Sequence, residues 1–392
     1  MRVLAVTNLY PNPYQPHRAP FNRQQLRALV QQHEVRVIAP IAWTDEVALR
    51  RAGGKRLAAS RRVICDGMVV DHPRYVFPPK VMRGWYGQCF RESIRARFMQ
   101  AVEEFRPEVV YATWAYPDGW AAVELAREAR LPVVVKVHGS DVLLLRSYRA
   151  RRRRTIEGLT RADAVVAVSR HLAGQVVQMG VDARRVSVVY NGIDRELFHA
   201  GAMAERDHSG APLVLFVGNL LPVKGPDVLV DACDRLARRG VRFECRLIGQ
   251  GVMKGAIERQ IGERGLADRV KLLGPQPLEE LPAWYRRARV LVLPSHSEGV
   301  PNVVLEALAC GTPVVATRVG GLPEIVGGEG LVAAGDAAAL AAAIESALSR
   351  GREAAATRFE PPSWKESAAA LGRVLSGVVG CADEMEGARR AA

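Results

Sequence analysis

Short β-branched runs alternate with longer amphipathic stretches along most of the chain, and this rhythm leaves few folds open. RVLAVTNL (2–9), EVRVIAP (34–40), EVVYATW (108–114), PVVVKVHG (132–139), AVVAVS (164–169) and VSVVYNG (186–192) read as strands. FNRQQLRALVQQ (21–32) and WAAVELAREAR (120–130) read as helices between them. Such a succession predicts a mostly parallel sheet with helices on both faces. The rhythm breaks at DRELFHAGAMAERDHSGAP (194–212), which is polar and irregular. A second series follows: PLVLFVGN (212–219), FECRLIGQG (243–251), RVKLLGP (269–275), ARVLVLPS (288–295) and TPVVATRVGG (312–321). With 392 residues the chain is too long for one ordinary core. The expected fold class is therefore α/β, with two tandem doubly wound domains facing a cleft. The boundaries expected are 1–190 for the first domain, 191–211 for a hinge, 212–360 for the second domain, and 361–380 for a helix after a Pro-Pro break that packs back toward the first domain. Residues 381–392 are expected to fray. In such sheets ligands sit beyond the carboxyl ends of the strands.

Composition narrows the class. A chain 48% hydrophobic and 24% charged is globular rather than disordered. The opening MRVLAVTNLY reads as a first strand, not a secretory leader. No apolar run approaches a membrane span. The six cysteines have no C-x-x-C pair, so they read as reduced thiols in a cytoplasmic protein, and zinc spacing is absent. The charge is uneven. Residues 1–190 hold 31 Lys and Arg against 16 Asp and Glu; the remainder holds 24 against 25. Much of the excess is arginine, in RGWYGQCFRESIRARF (83–98) and YRARRRRTIEG (148–158). Such a half suits an anionic membrane surface, a polyanionic substrate or nucleic acid. The Arg run lacks interleaved aromatics and any known binding module, so no nucleic acid is expected.

The residues with most chemical content lie in SHSEGVPNVVLEALACGTPVV (295–315). Glu298 follows a strand; Pro301 and Asn302 suit a helix start; Glu306 lies about a turn into that helix. A helix N-terminus is a ready anion site, and a carboxylate one turn deeper accepts hydrogen bonds from a vicinal diol. Each Glu alone also reads as a loop cap or as the partner of an Arg. In VGNLLPVKGPDVLVDA (217–232), Lys224 precedes a helix and suits a diphosphate, although a solvated Lys is the commoner meaning of such a residue. His138 and Gly139 leave the strand PVVVKV, and Asp141 reads as a helix cap. Gly249, Gly251, Gly320 and Gly321 stand where strands meet the expected cleft, where glycine permits close backbone approach.

In this order, the elements "HGSD", "YNGID", "GNLLPVKG", "LIGQG" and above all E-x(7)-E within PSHSEGVPNVVLEALACGTPVVATRVGGLPEIV resemble a retaining glycosyltransferase of family 4, or group 1. The opening TNLYPNPYQPHRAPFNRQQLRAL is similar to the first loop and helix of bacterial polysaccharide members. The resemblance covers most of the chain and is strongest from Val214 to Val326. It implies the GT-B fold, two Rossmann-like domains. It implies that Glu298 touches hydroxyls of the transferred sugar, Glu306 holds the ribose, and Lys224 binds the diphosphate together with the backbone of Gly299, Val300, Pro301, Asn302 and Val303. Gly218, Asn219 and Gly249 would line the donor; Pro277 and Leu278 would border the base; His138 would lie near the scissile bond. Asn191-Gly192 would mark the hinge. Two positions depart from the family. Asn219 stands where Arg is frequent, and QPHRAP replaces a Gly-Gly pair, so His17 and Arg18 are the expected acceptor contacts.

The implied reaction moves a sugar from a UDP- or GDP-sugar to a glycan or polyprenyl-diphosphate-linked acceptor, with retention, in cell-surface polysaccharide synthesis. No D-x-D motif is present, so no obligatory metal or other cofactor is expected. The basic first half would associate peripherally with the inner membrane face. Two other readings stay open: a nucleotide-sugar epimerase of the same architecture, and a basic nucleic-acid-binding protein.

Overall fold

A computed structural model describes residues 1–16, 18–51, 61–145, 148–201, 210–350 and 359–391. The chain forms two compact units, one from Met1–Asn191 with Trp364–Ala392, the other from Gly192–Ser363.

Unit 1 begins with β1 (Arg2–Val6), α1 (Pro20–Leu29), β2 (Glu34–Ile38), β3 (Ile41–Ala42) and α2 (Trp43–Arg51). It continues with β4 (Arg62–Cys65), β5 (Met68–Asp71), β6 (Arg74–Tyr75), α3 (Tyr86–Phe105), β7 (Val109–Thr113) and α4 (Trp120–Glu128). Then come β8 (Val133–Val137), α5 (Ser140–Leu143), α6 (Arg149–Arg161), β9 (Ala164–Ala167), α7 (Arg170–Gln178) and β10 (Val186–Val188). The main sheet has the order β10-β9-β8-β7-β1-β2-β5-β4, parallel except for the β4–β5 hairpin. β3 and β6 form a small separate pair. That hairpin and pair, between residues 41 and 75, interrupt the β-α rhythm and were not anticipated from the pattern.

Both faces of this sheet are covered, which is why its strands are apolar at nearly every position. Leu4, Val6, Val135 and Val137 pack against Phe90, Ile94 and Phe98 of α3 and the apolar side of α4. Val3, Ala5, Val134 and Val166 face α1 through Leu26 and Leu29. They also meet a long final helix through Ala368, Leu371 and Leu375.

One buried polar group breaks the apolar face. Lys136 of β8 is 1% exposed. Its Nζ donates to Gln25 Oε1 at 2.8 Å and to Asn191 Oδ1 at 2.9 Å. Burial lowers its pKa to about 7. Gln25 Oε1 also accepts from the Tyr111 hydroxyl, and Gln25 Nε2 donates to Ser367 Oγ, which in turn donates to the Tyr190 carbonyl. Buried polar groups persist when partnered in this way.

Unit 2 runs β11 (Leu213–Val217), α8 (Pro226–Arg238), β12 (Glu244–Ile248), α9 (Lys254–Glu263), β13 (Val270–Gly274) and α10 (Leu281–Arg287). It continues with β14 (Val290–Leu293), α11 (Asn302–Ala309), β15 (Val314–Thr317), α12 (Leu322–Ile325), β16 (Leu331–Val332) and α13 (Ala337–Arg350). Its sheet is wholly parallel, ordered β13-β12-β11-β14-β15-β16. The order reverses beside β11: β12 lies on one side and β14 on the other. The last helix, α14 (Trp364–Ala391), belongs to unit 1. Its backbone stays helical to Ala391, which corrects the expectation that residues from 381 onward fray. Among them Ala, Glu, Met and Arg are strong helix formers and no Pro interrupts them.

Candidate functional site

The switch in strand order puts two loops of unit 2 side by side. One leaves the carboxyl end of β11 and carries Lys224; the other leaves β14 and carries Ser295 and Glu298. A crevice forms at such a point because neighbouring crossovers run to opposite faces of the sheet. The loops approach closely. Gly225 adopts a left-handed conformation at φ 62°, and a Cβ there would sit 2.3 Å from the Pro294 carbonyl oxygen. Gly320, after β15, likewise has φ 55°, and its Cβ would fall 1.8 Å from the Glu298 carbonyl oxygen. Only glycine meets both demands. The Gly321 N–H donates to the Gly299 carbonyl at 2.8 Å, tying a third loop to the same place.

Lys224 Nζ lies 2.6 Å from Glu298 Oε1, which also accepts from the Ser295 hydroxyl at 2.7 Å. Glu298 is 7% exposed and Lys224 25%. A carboxylate this buried needs such partners. The pair realises the ion-pair alternative raised for Glu298, with a lysine as partner, and Lys224 is not a merely solvated lysine; a ligand anion would have to share Lys224 with Glu298. Gly299, Val300 and Pro301 are buried between Glu298 and α11, while Asn302 and Val303, the first two residues of that helix, are half-buried. No side chain caps α11, whose cap residue is Pro301. Its positive end therefore remains available to an anion.

Glu306, one turn along α11, accepts from the Tyr285 hydroxyl at 2.9 Å. Burial pushes its carboxyl up to about 7, with the Tyr285 hydrogen bond opposing the rise. Tyr285 of α10, itself fully buried, escaped the reading of the sequence. Its sole signal was a buried phenol in need of a partner. Ser295 escaped it too, as the last residue of what read as a strand. Gly218 follows β11 directly and donates its N–H to the Ile248 carbonyl, whereas Asn219 points to solvent. Gly249, after β12, donates to the Gly274 carbonyl. Pro277 is exposed and Leu278 half-buried in the turn after β13.

Unit 1 has its own switch, between β1 and β7. Asp118 Oδ2 accepts the Asn8 N–H across it at 2.6 Å. Asp118 is completely buried, and burial pushes its carboxyl up to about 8. His138 leaves β8 with its ring between Phe21 (centroids 5.0 Å apart) and Trp114 (6.2 Å). Burial, with the nearby Lys136 charge, holds this imidazole well below its usual range, so it is neutral at pH 7. Asp141 is not the simple helix cap expected. Its Oδ1 accepts from the N–H groups of His138 and Gly139, and its Oδ2 from that of Ala115. It thus pins the exit of β8 to that of β7. Arg18 donates to Gln15 Oε1 at 2.6 Å and approaches Asp45 at 3.5 Å. His17 lies outside the described residues. Among the described residues no three His, Cys, Asp or Glu side chains are grouped to hold a metal, and no helix is long and apolar enough to cross a membrane.

Residues 9–197 match the family described as Glycosyltransferase Family 4, and residues 211–350 match Glycosyl transferases group 1. The chain is 32% identical over 363 residues to a D-inositol 3-phosphate glycosyltransferase of Pseudarthrobacter chlorophenolicus, covering 82% of this chain and 86% of that one. The chain belongs to the group 1, family 4 glycosyltransferases. An uncharacterized glycosyltransferase of Methanocaldococcus jannaschii is 33% identical to it over 58% of this chain. A D-inositol 3-phosphate glycosyltransferase of Frankia alni is 40% identical over 46%. The chain spans 61% and 48% of the lengths of these two relatives. Among solved structures, Anabaena Alr3699/HepE in complex with UDP superposes with a TM-score of 0.69 at 19% identity, covering both chains fully. Sucrose-phosphate synthase of Thermosynechococcus elongatus gives 0.72 at 20%, again over both whole chains. This glycosyltransferase therefore has the GT-B fold, with two Rossmann-like units.

Proposed function

We propose that this glycosyltransferase moves a sugar from a UDP- or GDP-sugar to a glycan or polyprenyl-diphosphate-linked acceptor, with retention at the anomeric carbon, in cell-surface polysaccharide assembly. The observation that carries the donor reading is the Lys224–Glu298 contact at the switch of unit 2, beside the uncapped start of α11. A diphosphate leaving group carries its charge where Lys224 and the first-turn N–H groups of α11 would meet it. Groups held in place before charge develops stabilise it at little reorganisation cost. Glu298, released in part from Lys224, would accept hydrogen bonds from sugar hydroxyls. Glu306 would accept from the ribose diol. Neutral His138 would offer a hydrogen bond near the anomeric centre rather than a positive charge. Binding the acceptor hydroxyl in line with that centre supplies the remaining acceleration. Solved neighbours support a nucleotide-sugar donor: HepE has been captured with UDP and with UDP-glucose. Unit 1, where the basic excess lies, would take the acceptor and meet the membrane.

The test is thermal stabilisation by UDP, GDP and ADP, each against its nucleoside and inorganic diphosphate. A ligand at a hundred times its dissociation constant stabilises by about 2.7 kcal/mol. One nucleoside diphosphate should stand out, and Lys224→Ala should abolish its advantage over the nucleoside. Absence of any shift with all three would overturn the donor reading. Proton NMR of the product's anomeric centre then decides retention.

A further inference from the structure

We propose that a basic pocket on unit 1, between the start of α6 and the turn before α3, is a headgroup site that docks this unit on an anionic phospholipid bilayer. The pocket encloses about 440 Å³ and is lined by Arg83, Arg149, Arg151, Arg153 and Arg154, with Tyr148 and Trp85 among its walls. Arg154 pairs with Glu157 at 2.8 Å. The other four guanidinium groups have no carboxylate partner among the described residues. Arg83 and Arg151 instead lie over the Tyr148 ring, at 5.9 and 5.6 Å from its centroid. Four unpaired like charges on one concave surface repel one another and favour an anion between them. α6 adds to this: it is 13 residues long, and no side chain caps its N-terminus, which begins in the same pocket. The planar forks of arginine suit the oxygens of a phosphate.

The pocket is built rather than accidental. Gly84 lies so close to α6 that a Cβ on it would sit 2.9 Å from Ala150 Cβ. The Tyr116 hydroxyl accepts the Gly87 N–H at 2.7 Å and donates to the Gly84 carbonyl at 2.8 Å. These contacts clamp the turn against the helix and hold Arg83 and Trp85 outward.

What points to a bilayer rather than a soluble phosphate is the rim. Val81 and Met82 are each 57% exposed, Trp85 60% and Tyr148 42%. Large apolar side chains set beside unpaired arginines match the layering of a membrane interface, with phosphates above acyl chains. This inference deepens the reading of unit 1 as the unit that meets the membrane, but it does not depend on the donor chemistry of unit 2.

The experiment is flotation of the full chain with phosphatidylcholine vesicles, pure or doped with phosphatidylglycerol, at low and at physiological salt. The protein should float with the doped vesicles, less so as salt rises, and not with the pure ones. The triple variant Arg83→Ala, Arg149→Ala, Arg153→Ala should lower partitioning on the order of a hundredfold, since each basic residue near an anionic surface contributes about fivefold. Trp85→Ala should weaken binding while leaving its salt dependence unchanged. Inorganic phosphate should displace no more protein from the doped vesicles than chloride at the same ionic strength; displacement by phosphate alone would overturn the bilayer reading. Nucleoside-diphosphate thermal shifts should be the same in all variants, so a docking failure and a donor failure are separable. Absence of flotation, a triple variant that floats like the parent, or Arg-dependent binding of duplex RNA in place of vesicles would each overturn the proposal.

Discussion

Glu306 offers the sharpest prediction because its proton state and its proposed task oppose each other. Its carboxyl titrates at about 7, raised by burial against the pull of the Tyr285 hydroxyl. A ribose diol donates hydrogen bonds, so it needs the carboxylate as acceptor. With this pKa about one site in ten is ionised at pH 6 and about nine in ten at pH 8. The dissociation constant of the donor should therefore fall about tenfold between those pH values and then level off. The linkage for the ligand-free protein has the opposite sense. The folded pKa lies above the unfolded 4.5, so the stabilising contribution is complete below pH 4.5 and is lost as pH rises through about 7. The assay is isothermal titration with the intact nucleotide sugar, whose diphosphate diester does not titrate in this range. Tyr285→Phe removes the one hydrogen bond that lowers the carboxyl, so the inflection should move to higher pH. Glu306→Gln should bind weakly with a flat profile. If that variant keeps the tenfold slope, the titrating group is another residue and the ribose role is wrong.

Lys224→Ala should lower kcat by about a hundred- to a thousandfold, the range for removing one preorganised charge-stabilising donor, with a smaller change in KM, measured by steady-state transfer. Gly225→Ala forces a left-handed alanine against the Pro294 oxygen and should cost about 1–3 kcal/mol, read as a fall in Tm on calorimetry of the full chain. Lys136 has a folded pKa of about 7 against 10.5 unfolded. The unfolded chain thus binds the extra proton between those values, and stability should rise with pH across that window. The rise should be absent in Lys136→Met, checked by urea unfolding at pH 7 and pH 9.

The arrangement also explains a weak point in the sequence. Asn219 stands where an arginine would have supplied a second cation, and it is exposed at the end of β11. The charge near the proposed diphosphate therefore rests on Lys224 and the α11 terminus. That makes Glu298, which neutralises Lys224 in the ligand-free protein, the residue through which sugar and diphosphate binding would be coupled.

Much of the fold was legible along the chain because the signals are local. Short β-branched runs marked strands such as Val133–Val137 and Leu213–Val217, and Pro301 with Asn302 marked the start of α11. The hairpin at Arg62–Asp71 was not legible, since short half-polar strands carry little period. What the local signals could not decide was adjacency. The meeting of Lys224 with Glu298, 74 positions apart, follows from β11 lying beside β14 rather than β16. The Asn8–Asp118 bond spans 110 positions for the same reason. Tyr285 reaches Glu306 only because α10 packs on α11. Strand order depends on which faces of distant segments bury each other. That choice sums many weak apolar contacts over the whole sheet, whereas a strand or a helix start depends on a handful of neighbouring residues. Residue types and element order were therefore the chain's own; the pairing of charges, and with it every perturbed pKa at the site, came from the tertiary structure.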